Sequence, residues 1–284
     1  MDGLQDRFVD YWDHVSARLA DNPYVLGYDP LNEPFPGDPI KEPKLFVPGH
    51  MDKKYLTPMY SRVFEKYQAN DATKQMWFEP VTFPDMAPWL PSWLPIWKDG
   101  HVFDVGFETP PGGQIGSTKH VLNDHTYCYY SPFDATRCYE WHEKKLKKRD
   151  KDARRLGIPL FITEFGACVE ENECQAEISA VTGISDAYLT SWAYWQFKTF
   201  QDLTTVAGTG SEGFYNNDGT LQEYKVKALA RSYMPYTQGS LTSMWFSPDT
   251  SEFYVVFNYL DAAVGETVAY LNEEFYYPGG GPQI

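Results

Sequence analysis

The 284-residue chain has little positive charge: 24 Lys and Arg stand against 39 Asp and Glu, a formal net charge of −15. Because binding to nucleic-acid phosphates requires a basic surface, this composition argues against a nucleic-acid partner. One basic block, residues 143–155 ("EKKLKKRDKDARR"), interrupts the acidic background. Its basic residues are mixed with acids, which is typical of a solvated helix on the protein surface.

Long apolar runs are also missing. No stretch reaches the roughly 18 apolar residues of a membrane-spanning helix. The opening residues, "MDGLQDRFVDYWDHV", lack the charged head and apolar centre of a secretory signal. Their spacing instead predicts an amphipathic helix. The apolar residues on one face of this helix are Phe8, Tyr11, Trp12, Val15 and Leu19.

Cysteine is scarce, with four residues and no C-x-x-C pair, which argues against a zinc site. The four cysteines can pair in three ways, and one of these forms two local bridges, Cys128–Cys138 and Cys168–Cys174. Such bridges would hold loops and suit a secretory or lysosomal compartment, whereas four free thiols are the alternative. The carboxylates are not clustered at metal-ligand spacing, so we predict neither a metal nor a cofactor.

Short apolar runs alternate with helical patterns over residues 1–235. The predicted strands are 24–32, 75–83, 120–128, 159–166 and 190–198. The predicted helices are 55–70, 134–156, 173–187 and 221–234. Strands that alternate with helices predict an α/β fold with a parallel sheet and helices outside it.

The pattern changes after Pro235. "SLTSMWFSPDTSEFYVVFNY" alternates like two antiparallel strands around the turn residues "SPDTS". This predicts the start of a β-sandwich, although residues 236–284 are far fewer than the roughly 100 of a typical two-sheet domain. We therefore predict an α/β domain over 1–235 and an incomplete sandwich over 236–284.

Polar residues recur where the predicted strands end. In sequence order they are Asn32, Glu33, Glu79, His125, Tyr127, Glu164, Trp195 and Gln196. Any one of them could be structural, but the same edge of a β/α barrel is where catalytic sites are built. A closed barrel would direct Glu33 and Glu164 into one cleft. Glycoside hydrolysis needs such a pair, one neutral acid and one ionised nucleophile, and spacing does not decide which is which.

Three motifs, "LNEP" at 31–34, "HTY" at 125–127 and "ITEFG" at 162–166, resemble the signatures of retaining glycoside hydrolases of the family 5 cellulase type. "GYDPLNEPFPGD", "FEPVTF", "VGFETPPGG" and "FITEFGAC" resemble the endoglycoceramidase branch. The resemblance covers roughly residues 5–260. It implies a (β/α)8 TIM barrel with the acid/base on strand four and the nucleophile on strand seven, followed by a C-terminal β-sandwich.

The resemblance also implies roles for single residues. Glu33 would be the acid/base and Glu164 the nucleophile, with Asn32 hydrogen-bonded to the sugar 2-hydroxyl. His125 would line the cleft, and Tyr127 would donate to the nucleophile and keep it ionised.

Two further positions have rival interpretations. Trp195 would be the platform on which the sugar stacks, and Trp192 is the alternative. Glu79 competes with Glu33 as a catalytic acid, but we interpret it as structural or substrate-binding.

The resemblance implies hydrolysis of the β-glycosidic bond between oligosaccharide and ceramide in glycosphingolipids. The alternatives are another β-glucosidase or glucanase of the same family, or a non-catalytic glycolipid-binding protein. If residues 25–32 are strand four, strands one to three have no counterpart in this chain. We therefore expect a partial barrel, strands 4–8, from a secreted or endomembrane-luminal protein shortened at both ends.

The segment "DMAPWLPSWLPIW", residues 85–97, is rich in tryptophan. Trp89, Trp93 and Trp97 are spaced four apart, but Pro91 and Pro95 exclude an ordinary helix. An aromatic loop here could bind the lipid part of a glycolipid or enter a membrane interface. The alternative is a loop packed against the barrel.

Overall fold

The computed structural model describes residues 3–82, 102–128, 130, 132–198, 212–262, 265–279 and 281. The α-helices are α1 Leu4–Leu19, α2 Thr57–Asn70, α3 Ala135–Leu156, α4 Glu171–Tyr188 and α5 Glu223–Leu229, and there are also a 3-10 helix, Pro43–Phe46, and a π-helix, Asp52–Leu56. The strands are β1 Gly27–Tyr28, β2 Gln75–Phe78, β3 His120–Thr126, β4 Leu160–Phe165, β5 Ser191–Trp192, β6 Tyr233–Tyr236, β7 Gly239–Phe246, β8 Phe253–Tyr259 and β9 Val268–Tyr270. None of the helices within these ranges is long and apolar enough to cross a lipid bilayer.

Strands β1 to β5 form one sheet in the order β1-β2-β3-β4-β5. β1 pairs in parallel with β2, and β2 pairs in parallel with β3. The predicted parallel sheet with intervening helices is therefore confirmed. β1 is much shorter than predicted because Pro30 has no N–H to donate to a strand ladder. Gly27 is required in β1, since an added Cβ would lie 2.3 Å from the backbone oxygen of Gln75.

The chain forms two compact units, Met1–His125 with Lys147–Ile162, and Thr126–Leu146 with Thr163–Ile284. In the first unit, α2 presents Tyr60, Val63 and Tyr67 to the core, all fully buried. Each such side chain stabilises the fold by about 1.5–3 kcal/mol. On α1, Val9 is buried, whereas Tyr11 is 58% exposed. Tyr11 was grouped with the apolar face of the predicted helix, but it lies at the edge of the buried face, which includes Val9.

The basic block on α3 is not fully solvated, so that prediction was wrong for one face of the helix. Arg149 is buried, with 2% of its side chain exposed. Its guanidinium forms an ion pair with Asp124 of β3, donates to the Phe103 carbonyl at 2.8 Å and lies 3.2 Å from Asp152 Oδ2. A charge pattern cannot reveal this burial, because Asp124 and Phe103 are distant in sequence.

Replacement of Arg149 by Ala is expected to lower the free energy of unfolding by about 3–5 kcal/mol, because the buried Asp124 carboxylate would lose its ion pair with Arg149. Arg154→Ala is the matched control, since Arg154 lies on the same helix with 72% of its side chain exposed beside Asp150. Arg154→Ala should lower the free energy of unfolding by about 0.5 kcal/mol or less. Urea unfolding monitored by circular dichroism measures both. Equal small losses would show that the Asp124 pair adds nothing.

In the second unit, β6 pairs antiparallel with β9, and β7 pairs antiparallel with β8. The predicted hairpin after Pro235 is confirmed by β7 and β8. The predicted helix over 221–234 was wrong at its end, because α5 stops at Leu229 and β6 begins at Tyr233. Arg231, between them, is buried in an ion pair with Asp186 of α4, so tertiary contacts end the helix early.

Both local disulfides predicted as one of three pairings are present, Cys128–Cys138 and Cys168–Cys174. The first joins the chain after β3 to α3, and the second joins the chain after β4 to α4. Each bridge closes a short loop that follows a strand end, which restricts the loop in the unfolded and folded chain alike.

Candidate active site

Glu33 follows β1 by five residues and has an unusual backbone conformation. Its φ is 43°, in the left-handed region, which costs a non-glycine residue about 1–2 kcal/mol. Its N–H donates to Glu79 Oε2 at 2.7 Å. The Glu33 side chain remains 39% exposed, and its neighbour Asn32 is also exposed. The Glu33 carboxyl group is therefore accessible to solvent, while the Glu33 backbone is held by the Glu79 carboxyl group.

His125 lies near the end of β3 with only 5% of its side chain exposed. Its Nδ1 is 2.9 Å from Glu33 Oε1 and 3.7 Å from Glu79 Oε1. The imidazole thus contacts the carboxyl groups of two other strand ends. The first unit brings together three of the residues that the sequence analysis singled out: Glu33, Glu79 and His125.

Glu79 comes directly after β2 and is almost completely buried, with 1% of its side chain exposed. Burial, with smaller contributions from the carboxylates of Asp124 and Asp29, raises the pKa of Glu79 to about 8. His125 and the N–H of Glu33 act in the opposite direction. A carboxyl group in this position keeps its proton at neutral pH.

The second unit holds Glu164 on β4 and Tyr127 just beyond β3. The Tyr127 hydroxyl donates to Glu164 Oε2 at 2.7 Å, and Glu164 is half-buried. A hydroxyl donor stabilises the ionised form of a carboxyl group, which is the form that a nucleophile needs. This contact is the one that the resemblance implied between the two residues.

Trp195 is held against the end of β4. Its N–H donates to the Phe165 carbonyl at 2.9 Å, and its carbonyl accepts from the Ala167 N–H at 2.9 Å. Trp192 instead packs edge-on against the buried ring of Phe165, at 5.6 Å between centroids. Trp192 and Trp195 are the two candidates for the sugar-stacking platform. The Trp192 ring packs against Phe165, whereas the Trp195 backbone is hydrogen-bonded to the end of the strand that bears Glu164.

Glu212, which no sequence motif had indicated, is a partner of Trp195. The Trp195 side chain hydrogen-bonds the Glu212 carboxylate, and burial raises the pKa of Glu212 while this bond and Lys225 lower it. Glu212 follows no apolar strand pattern, so no sequence signal marks it.

The second unit contains three atoms of the kind that bind metal ions, and they lie within 4.8 Å of one another. They belong to Cys128, Cys138 and Glu177. Both of these thiols form a disulfide, so they cannot bind a metal ion. The predicted lipid-binding residues Trp89, Trp93 and Trp97 lie outside the described residues.

The sequence model of the cellulase family, glycosyl hydrolase family 5, matches residues 2–201. The endoglycoceramidase of Cyanea nozakii is 26% identical over 98% of this chain and 51% of its own length. The endoglycoceramidase of Hydra vulgaris is 26% identical over 99% of this chain and 48% of its own length. The chain spans about half the length of these relatives.

Solved structures share the fold. Endo-glycoceramidase II from Rhodococcus sp., as its lactosyl-enzyme intermediate, has a TM-score of 0.74 at 20% identity, over 99% of this chain and 56% of that protein. Its complex with ganglioside GM3 has a TM-score of 0.73 at 19% identity, with the same coverage. These matches support the (β/α)8 barrel fold of the cellulase family, and the sheet of β1 to β5 in this chain has five strands. This chain belongs to the cellulase family of glycosyl hydrolases, family 5.

Proposed function

We propose that this chain is part of a retaining glycosidase that cleaves the β-glycosidic bond between oligosaccharide and ceramide in glycosphingolipids. The observation that carries the proposal is the pair of carboxyl groups with different partners. Glu33 lies beside an imidazole at 2.9 Å, and Glu164 accepts a phenol hydroxyl at 2.7 Å. These environments suit one carboxyl group that exchanges a proton and one that stays ionised.

The reaction takes two steps. Glu164 attacks the anomeric carbon, the bond from that carbon to the ceramide oxygen breaks, and Glu33 gives its proton to the departing oxygen. This leaves a covalent glycosyl-enzyme on Glu164. Water then attacks the same carbon, Glu33 takes a proton from the water, and Glu164 is released as a carboxylate. Two inversions retain the β-configuration.

The remaining site residues assist these steps. Asn32 hydrogen-bonds the sugar 2-hydroxyl, a contact that strengthens as positive charge develops on the ring. Tyr127 keeps Glu164 ionised, and His125 orients the Glu33 carboxyl group. Trp195 stacks on the sugar, with its indole oriented by the bond to Glu212.

We also propose that β1 to β5 correspond to strands four to eight of an eight-stranded barrel. The acid/base candidate follows β1 and the nucleophile candidate lies on β4, three strands later in the sheet. The implied positions in the family, strands four and seven, have the same separation. Residues 236–284, with the β7–β8 hairpin, would then begin a β-sandwich domain after a barrel domain over 1–235.

The proposed function also includes a lipid or membrane contact and a cellular location. Trp89, Trp93 and Trp97 would contact the lipid part of the substrate or the membrane surface, because indole rings favour the bilayer interface. A secreted or endomembrane-luminal location suits the two disulfides, which persist in oxidising compartments.

Other substrates are the main alternatives. The family to which this chain belongs is named after cellulases, and an endoglucanase of known structure has a TM-score of 0.53 to this chain. A different β-glucosidase or a glucanase would use the same two carboxyl groups. A non-catalytic protein would bind glycolipid through the aromatic residues and turn over nothing.

The test is hydrolysis of a fluorescent ceramide β-lactoside beside cello-oligosaccharides, with free ceramide, lactose and glucose measured separately. Intact lactose with free ceramide supports the proposal. Cleavage of cello-oligosaccharides alone would assign a glucanase. Binding to glycolipid vesicles without any cleavage would assign the non-catalytic alternative.

A further inference from the structure

We propose that Glu79 is a positioning residue for Glu33. It holds the backbone of Glu33, the acid/base, and it lies next to the His125 imidazole that contacts the Glu33 carboxyl group. This inference deepens the proposed function and rests on it. The Glu79 side chain is buried, so it does not contact the substrate directly. It acts instead through its two neighbours, Glu33 and His125.

The first link is a hydrogen bond to a strained residue. Glu33 has a φ of 43°, and its N–H points to Glu79 Oε2 at 2.7 Å. A left-handed conformation at a non-glycine residue persists only when its surroundings hold it there. Glu79 can do so because its own backbone is anchored: the buried Tyr60 hydroxyl of α2 donates to the Glu79 carbonyl at 3.2 Å.

The second link runs through His125. Among the residues that the structure describes, Glu79 Oε1 has no hydrogen-bond partner. It lies 3.7 Å from His125 Nδ1, the atom that is 2.9 Å from Glu33 Oε1. The same ring nitrogen of His125 therefore lies close to both carboxyl groups, and Glu33 is the nearer of the two. A shift of Glu79 would move both the backbone of Glu33 and the partner of its carboxyl group.

The charge on Glu79 matters to the same pair. Burial raises the pKa of Glu79 to about 8, so the group is neutral while Glu33 works as an acid in the neutral range. The groups that face it from the neighbouring elements are Asp29, Glu33, Asp124 and His125. Glu79 Oε1 lies 3.7 Å from His125 Nδ1, so a change in the charge on Glu79 alters the electric field at the imidazole ring.

The experiment compares Glu79→Ala, Glu79→Gln and the exposed control Glu65→Gln on two substrates. A ceramide β-lactoside needs a proton on its leaving oxygen, whereas a 2,4-dinitrophenyl β-lactoside does not. Glu79→Ala is expected to lower kcat/KM about tenfold to 100-fold for the ceramide substrate and about threefold or less for the aryl substrate. Glu79→Gln keeps an oxygen that can accept the Glu33 N–H and should recover most of that loss.

Equal losses on both substrates, or no loss with Glu79→Ala, would overturn the inference. If the unmodified chain cleaves neither lactoside, the proposed function fails, and a second measurement still decides the role of Glu79. The ring signals of His125, followed by NMR, should show an inflection near pH 8 that Glu79→Gln removes. A wild-type His125 that shows no such inflection would overturn the coupling.

Discussion

Glu164→Gln is expected to lower turnover by about 10⁴-fold or more, because the amide cannot form the covalent glycosyl-enzyme and losing a nucleophile has a cost of this order in other hydrolases. A 2-deoxy-2-fluoro-lactoside with a dinitrophenyl leaving group should label the unmodified chain with one glycosyl group. Intact-protein mass spectrometry measures the added mass, and peptide digestion identifies the labelled residue. The variant should show no added mass.

Glu171→Gln is the matched control, because Glu171 is an exposed glutamate at the start of α4 in the same unit. It should be labelled as fast as the unmodified chain. Labelling of Glu164→Gln, or a label found on Glu33 or Glu79, would reassign the nucleophile. The Tyr127 hydroxyl at 2.7 Å makes Glu164 the residue where we expect the label.

Glu33→Gln is expected to affect substrates unequally, since an amide cannot donate the proton that the leaving oxygen needs. The formation of the glycosyl-enzyme should slow by about 10²–10⁴-fold with a ceramide lactoside. With a dinitrophenyl lactoside the same step should change little, because that leaving group departs as an anion. Pre-steady-state release of dinitrophenolate and of ceramide measures the two cases.

The second step offers a further check on Glu33. Without a base, water attacks slowly and the intermediate accumulates, whereas azide needs no base and should release it as a β-lactosyl azide. Product analysis by mass spectrometry and NMR detects this compound. Equal loss with both leaving groups and no azide product would count against Glu33 as the acid/base. Glu65→Gln, on the exposed face of α2, should behave as the unmodified chain does.

Sequence alone determined the features that depend on local pattern. The alternation of apolar runs and helical periods predicted the parallel sheet and its helices, and all five predicted strands are present within the described residues. The cysteine spacing left three pairings and free thiols open, and the structure has the pairing with two local disulfides. Glu33, His125 and Glu164 could be named because each follows or ends an apolar strand, and because short motifs around them resemble those of family 5.

The tertiary structure decided burial, partners and protonation. Arg149 looked like one more solvated charge, and only the packing of α3 shows its ion pair with Asp124. α5 ended early because Arg231 and Asp186, 45 residues apart, pair in the interior. Glu79 was no more than a rival carboxylate until its bond to Glu33, 46 residues away, was visible. Periodicity records which side of an element is apolar, whereas these properties depend on side chains that meet only after folding.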